Sequence, residues 1–181
     1  MRYMYLFLTI YVSFFSISSY ASMLTSDVRE ITDLRFEVLA TKNTKRIFDF
    51  YTIVLADDAS IKIKDIHISP DGSMRREFSG FGKKEFIEHE VDFFKEHSVK
   101  DYSIDVERLD NIESSKRAVV EYVLKMNLYR RAGIEEGGYI EERKVKSTCR
   151  DIYEVNGLAV ALKRRDCTNR NDYSLDGEMA N

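Results

Sequence analysis

Three tyrosines, Tyr51, Tyr102 and Tyr122, are the polar groups from which a buried site in this sequence would be built. Each falls where the local pattern turns a side chain inward, and Met126 shares the inward strand face of Tyr122. A phenol in a dry pocket can donate a hydrogen bond to a developing oxyanion, and a nearby carboxylate can act as general base. Asp101 and Asp105 are the acids available for that role, and together these groups would suit an isomerisation or a cyclisation. The structural alternative is that the tyrosines are core aromatics whose hydroxyls reach a partner or water. No motif stands behind catalysis, so Tyr51, Tyr102, Tyr122 and Met126 are read as pocket residues and no catalytic residue is assigned.

Metal chemistry has little to draw on. His67 sits between Ile66 and Ile68 on an expected strand, and His89 and His97 lie eight residues apart on an expected helix. That spacing puts the two on one side of the helix but too far apart to share an ion, and neither HxxxH nor HxH occurs. No glycine-rich phosphate loop is present, and no cofactor is expected. The two cysteines, Cys149 and Cys167, lack CxxC spacing and a neighbouring histidine. In an exported chain an even cysteine count reads as a disulfide.

The export reading comes from the N-terminus. Arg2 is the only charge before Asp27, an apolar run follows from Tyr3 to Phe15, and Ser19 and Ala21 satisfy a small-x-small cleavage rule. Residues 1–21 are therefore read as a signal peptide cut after Ala21, which places the mature protein in the periplasm or outside the cell. An uncleaved anchor is the competing reading, because Tyr3 to Ser26 is long enough to span a bilayer. Once cleaved, the chain has no stable membrane insertion. Lys and Arg total 28 against 31 Asp and Glu, a mixed balance that does not suggest nucleic-acid binding. Basic residues are dense near the end (Arg143, Lys144, Lys146, Arg150, Lys163, Arg164, Arg165), but acids are interleaved, so a solvated sheet face is favoured over a cationic patch.

These residues need elements to hold them. Leu24, Val28, Ile31, Leu34 and Val38 predict an amphipathic helix over 23–41, with Arg35 among the polar positions. Asn43 or Thr44 caps a second helix that should stop near Asp57. Ile61, Ile63, Ile66 and Ile68 mark a strand, Ser69-Pro70-Asp71-Gly72 a turn, and Ser73 to Phe78 its return. Lys83 to His97 is a third helix, with Phe86, Ile87, Val91 and Phe94 on its inner face. Four strands follow, and the one carrying Ala118, Val120, Tyr122, Leu124, Met126 and Leu128 alternates cleanly. A glycine-bearing loop (Gly133, Gly137, Gly138) separates the last pair from the rest. The order ααββαββββ argues α+β, helices packed on a strongly bent antiparallel sheet. Residues 168–181 read as a polar flexible tail.

The last hairpin contains a conflict. A two-residue Asn156-Gly157 turn sets Val155 opposite Leu158 and Cys149 opposite Arg164. Pairing the cysteines instead sets Arg150 opposite Asp166 and Asp151 opposite Arg165, both favourable. A longer loop or a bulge would reconcile the two.

Leu55-Ala56-Asp57-Asp58-Ala59-Ser60-Ile61, Gly82-Lys83-Lys84-Glu85-Phe86-Ile87 and the four C-terminal strands together resemble the NTF2-like superfamily, which includes SnoaL-like proteins and ketosteroid isomerase. In that family the first of these segments ends an N-terminal helix and the second opens the third helix. The resemblance covers about residues 24–167, within a domain read as 22–167. It implies a cone-shaped roll with a pocket between sheet and helices, used for catalysis in some relatives and packed shut in others. By analogy it also implies a homodimer through the sheet. The function expected is an exported, non-enzymatic domain that binds a protein partner or a small apolar ligand. The alternatives are an enzyme acting in the cone and a membrane-anchored scaffold piece of a secretion system.

Overall fold

The computed structural model describes residues 27–41, 43–112, 116–132, 139–156 and 159–176. The expected signal peptide, the glycine-bearing loop and Gly157 of the expected Asn156-Gly157 turn lie outside them. Helix α1 (27–40) buries Val28, Thr32, Phe36 and Leu39. Its inner face is rotated from the expected stripe: Leu34 is 42% exposed, whereas Arg35 turns toward the core and is held there by hydrogen bonds.

Helix α2 (Thr44–Val54) starts where Asn43 accepts a hydrogen bond from the Arg46 N–H, the expected cap. It stops at Val54 rather than near Asp57. Leu55 is 2% exposed and pairs with Leu162, and Ala59 and Ile61 are also buried, so strand pairing claims these residues from the helix. The Leu-Ala-Asp-Asp-Ala segment therefore opens strand β1 (Leu55–Ile68) instead of closing a helix. β1 turns at Pro70-Asp71-Gly72 into β2 (Met74–Phe81), with the Gly72 N–H bonded to Ser69 O and Gly72 at φ 81°. That left-handed backbone suits glycine. Helix α3 (Lys83–Glu96) and strands β3 (Ser98–Ile112), β4 (Arg117–Ala132), β5 (Tyr139–Asn156) and β6 (Ala159–Asp176) complete the order read from the sequence.

The six strands form one curved sheet in the order β2-β1-β6-β5-β4-β3. It is mixed, not wholly antiparallel: β1 runs parallel to β6, and every other pair is antiparallel. The tail expected at 168–181 is strand as far as Asp176. Its polar sequence misleads because its partners are polar: Asn169 and Asn171 both donate to Asp65 Oδ1, at 3.0 Å each, and the Tyr173 hydroxyl lies 2.8 Å from His67 Nδ1.

The β5–β6 register resolves the hairpin conflict with a bulge and a shifted pairing, not with a longer loop. Val155 pairs with Val160 and Asn156 with Ala159, so the loop sits one residue later than an Asn-Gly turn would place it. A bulge then intervenes: Tyr153 opposes Leu162 but Ile152 opposes Arg164, which leaves Lys163 as the extra residue. Beyond the bulge Cys149 faces Cys167 and the two form the disulfide, with Cα atoms 4.2 Å apart. Asp151 faces Arg165. Leu162 and Arg165 are both buried, three residues apart on one strand, which simple alternation forbids and the bulge permits.

Candidate functional site

The concave sheet face is built from every second residue of each strand. β4 contributes Tyr122, Leu124 and Met126; β5 contributes Arg143, Val145, Ser147 and Cys149; β6 contributes Arg165, Cys167 and Asn169. Helices α1 and α3 close over this face. Between them lies a cavity of about 250 Å³. Its apolar wall includes Phe86, Phe93 and Phe94 of α3 with Leu124 and Met126 of β4, and the disulfide lies in the floor.

One end of the cavity is charged. Arg165 and Asp151 are each 1% exposed and form a two-pronged ion pair, Nε to Oδ1 at 2.8 Å and Nη2 to Oδ2 at 2.6 Å. The Tyr122 and Tyr153 hydroxyls also donate to Asp151 Oδ2, at 3.3 and 3.5 Å. Arg35 donates to the Tyr122 hydroxyl at 2.8 Å and to the Tyr51 hydroxyl at 2.9 Å, and Tyr51 donates to Glu90 Oε2 at 2.7 Å. Burial is the largest influence on Arg165 and opposes its charge, but Asp151 together with the Tyr122 and Tyr51 hydroxyls outweighs it and holds the guanidinium pKa well above its usual value. Burial pushes the Tyr51 and Tyr153 hydroxyls well up and raises that of Tyr122, so all three stay protonated. Arg165 Nη1 is buried with no hydrogen-bond partner among the described residues, as is His67 Nε2 on another part of the cavity wall. A buried polar group left unpaired costs about 1–3 kcal/mol, more when charged.

A second polar group lies further along the same wall. Asn171, fully buried, accepts from Arg143 Nε and Nη2 (3.1 and 2.9 Å) while donating to Asp65. The Arg143 guanidinium lies over the rings of Phe93 (5.1 Å) and Tyr173 (5.5 Å), and burial lowers its pKa. His67 Nε2 stands 3.6 Å from Glu77 Oε2, beyond hydrogen-bond distance.

No protein-family model and no curated protein sequence matches the chain. Solved structures do. A conserved protein from Planctomyces limnophilus superposes with a TM-score of 0.51 at 16% identity, over 82% of this chain and 94% of its own. A nuclear transport factor 2 (NTF2-like) superfamily protein from Salmonella enterica also gives 0.51, at 10% identity, over 88% and 95%. The chain has the NTF2-like fold. Identity this low carries the architecture alone, and the function must be argued from the site.

Within the NTF2-like cone, the four pocket residues read from the sequence separate. Met126 lines the cavity. Tyr51 and Tyr122 stand behind the wall and hold Arg35 in it. Tyr102 is 40% exposed on β3, stacked on Phe36 at 5.5 Å, away from the cavity. Asp101 and Asp105 are exposed, and Asp101 is bonded by Asn127. Of the basic residues on the last strands, Arg143 and Arg165 point into the cone, while Lys144, Lys146, Arg150 and Arg164 are exposed.

Sequence reasoning missed Arg35, Glu90, Arg143 and Arg165. Glu90 left a signal: Phe86, Glu90 and Phe94 follow at intervals of four on α3, a carboxylate inside an apolar stripe. Arg165 left none that alternation could use, because the bulge precedes it.

Proposed function

We propose that this protein is a binding domain for a small organic ligand, held in the cone cavity without chemical conversion, and that it works outside the cytoplasm. The cavity carries the reading. Its size suits a small molecule, its apolar wall supplies contact area, and its polar groups are already fixed by one another. Catalysis is less well supported. Asp151 is the inward carboxylate beside Tyr122 that a general-base mechanism asks for, but Arg165 occupies both of its oxygens. The remaining wall carboxylate near it, Glu90, accepts from Tyr51.

The extracytoplasmic address rests on the N-terminal pattern of the sequence and on the disulfide. Among the described residues no helix is long and apolar enough to cross a membrane. Native mass spectrometry of the protein taken from its producing cell tests the proposal. Extra small-molecule mass on an oxidised chain beginning at Ser22 is the expected result. A ligand-free chain in a hetero-complex would transfer the function to a protein partner, and a ligand-free homodimer would point to assembly through the sheet. An uncut, detergent-requiring chain would favour the anchored scaffold.

A further inference from the structure

From the unpaired Arg165 Nη1 we infer that the ligand is a monocyclic aromatic acid or a carboxylate of similar size, its carboxylate on Nη1 and its ring among the α3 phenylalanines. The inference rests on the cavity being a binding site. Asp151 takes Nε and Nη2 of Arg165, which leaves Nη1 as the guanidinium nitrogen still able to donate; Arg165 is part of the cavity wall, and Nη1 itself is enclosed, so a ligand oxygen reaches it only as the wall side chains shift. A guanidinium donor selects an oxygen acceptor, and an ionised one is bound about twice as strongly as a neutral one.

The neighbouring charges do not select an anion by themselves, because Asp65, Glu77, Glu90 and Asp151 offset Arg35, Arg143 and Arg165; the selection falls to the open donor. Three arginines reach this wall: Arg35, Arg143 and Arg165. Only Arg165 has a carboxylate of the described residues within ion-pair distance; Arg35 is bonded to two tyrosine hydroxyls and Arg143 to an amide oxygen. The wall acids are engaged: Glu90 by Tyr51, Asp65 by two asparagines, and Glu77 by Arg75. The apolar side of the cavity, with Phe86, Phe93, Phe94, Leu124 and Met126, asks for a flat hydrocarbon body. An apolar cavity of about 150 Å³ takes benzene, so the present volume suits roughly ten non-hydrogen atoms.

The test is calorimetric titration of the oxidised, folded protein with phenylacetate and with its neutral analogue phenylacetamide, at one pH and ionic strength. Phenylacetate is expected to bind at least about tenfold more tightly, and a Ser147→Phe variant, which fills the cavity from β5, should bind neither. A crystal of the phenylacetate complex should place a carboxylate oxygen in hydrogen-bond reach of Arg165 Nη1. Equal affinity for the two probes, both blocked by Ser147→Phe, would overturn the carboxylate inference and leave the cavity as the binding site. Absence of binding by both would also overturn it, while the retained-ligand measurement decides the binding function separately. Binding that survives Ser147→Phe would put the probes elsewhere and sink the inference.

Discussion

Asp151 and Arg165 oppose one another across β5 and β6, each 1% exposed, with both carboxylate oxygens engaged by one guanidinium. Removing one partner strands the other in a medium that solvates it poorly. Asp151→Leu should therefore lower stability by about 3–5 kcal/mol, and the double variant Asp151→Leu/Arg165→Met should recover much of that loss. Urea unfolding of the oxidised proteins reads both, and a double variant no better than the single would show that the pair contributes more than mutual compensation.

Tyr51 links Arg35 to Glu90 through one hydroxyl, accepting from the first and donating to the second. Tyr51→Phe keeps the ring packed against Phe86 but leaves both charged partners short of a bond. The expected loss is about 1–3 kcal/mol, read from the same denaturation curves.

The Cys149–Cys167 bond closes a loop of sequence separation 18. The variant Cys149→Ala/Cys167→Ala should be less stable by roughly 3 kcal/mol on the chain-entropy account. Dithiothreitol should reproduce the loss in the wild-type protein and leave the variant unaffected.

His97 gives the fold a pH dependence of definite sign. It is 6% exposed, stacks on Phe93 at 4.2 Å and donates from Nδ1 to the Phe93 carbonyl at 2.9 Å. Burial lowers its pKa, Arg143 and Arg130 add to the depression, and the hydrogen bond to the Phe93 carbonyl and Glu141 oppose it without reversing it. The unfolded chain thus binds the proton more readily than the folded one. The contribution of His97 is full above the ordinary histidine pKa near 6.5 and is lost as pH falls from there through the folded value. His97→Gln should flatten the stability profile between about pH 7.5 and 5. An unchanged slope would assign the dependence to other groups.

Much of the architecture was legible from local pattern. The clean alternation from Ala118 to Leu128 placed the inner face of β4, and the Asn43 cap and the Ser69–Gly72 turn fell where side-chain chemistry put them. What was illegible had a common cause: polar residues whose partners are remote in sequence. Asn169, Asn171 and Tyr173 look like a solvated tail until Asp65 and His67, more than 100 residues earlier, are set beside them. Arg35 looks like the outer face of a helix until Tyr51 and Tyr122 supply its acceptors. Arg165 is hidden further by the extra residue at Lys163, which shifts the phase of everything after it. The cysteine pairing was the one long-range constraint the sequence offered, and the register it required is the one found beyond the bulge.

The C-terminal strand provides a sharper check. A chain ending at Cys167 loses the pairing of β6 from Thr168 to Asp172 with β1 and from Thr168 to Asp176 with β5. It should fail to give a cooperative unfolding transition, whereas removal of residues 177–181 should be tolerated. A cooperative fold in the shorter chain would restore the reading of 168–181 as tail.

The placement of β6 between β1 and β5 governs when the molecule can assemble during its own synthesis. Without its segment, the β1–β2 hairpin and the β3–β5 meander have no shared neighbour, because the strand that joins them is the last of the six to leave the ribosome. The nascent polypeptide therefore stays open and threadable until nearly all of the domain has been made. If the chain is exported as proposed, this delayed closure suits it to crossing a membrane in extended form, with its cysteines meeting oxidant as the two half-sheets come together.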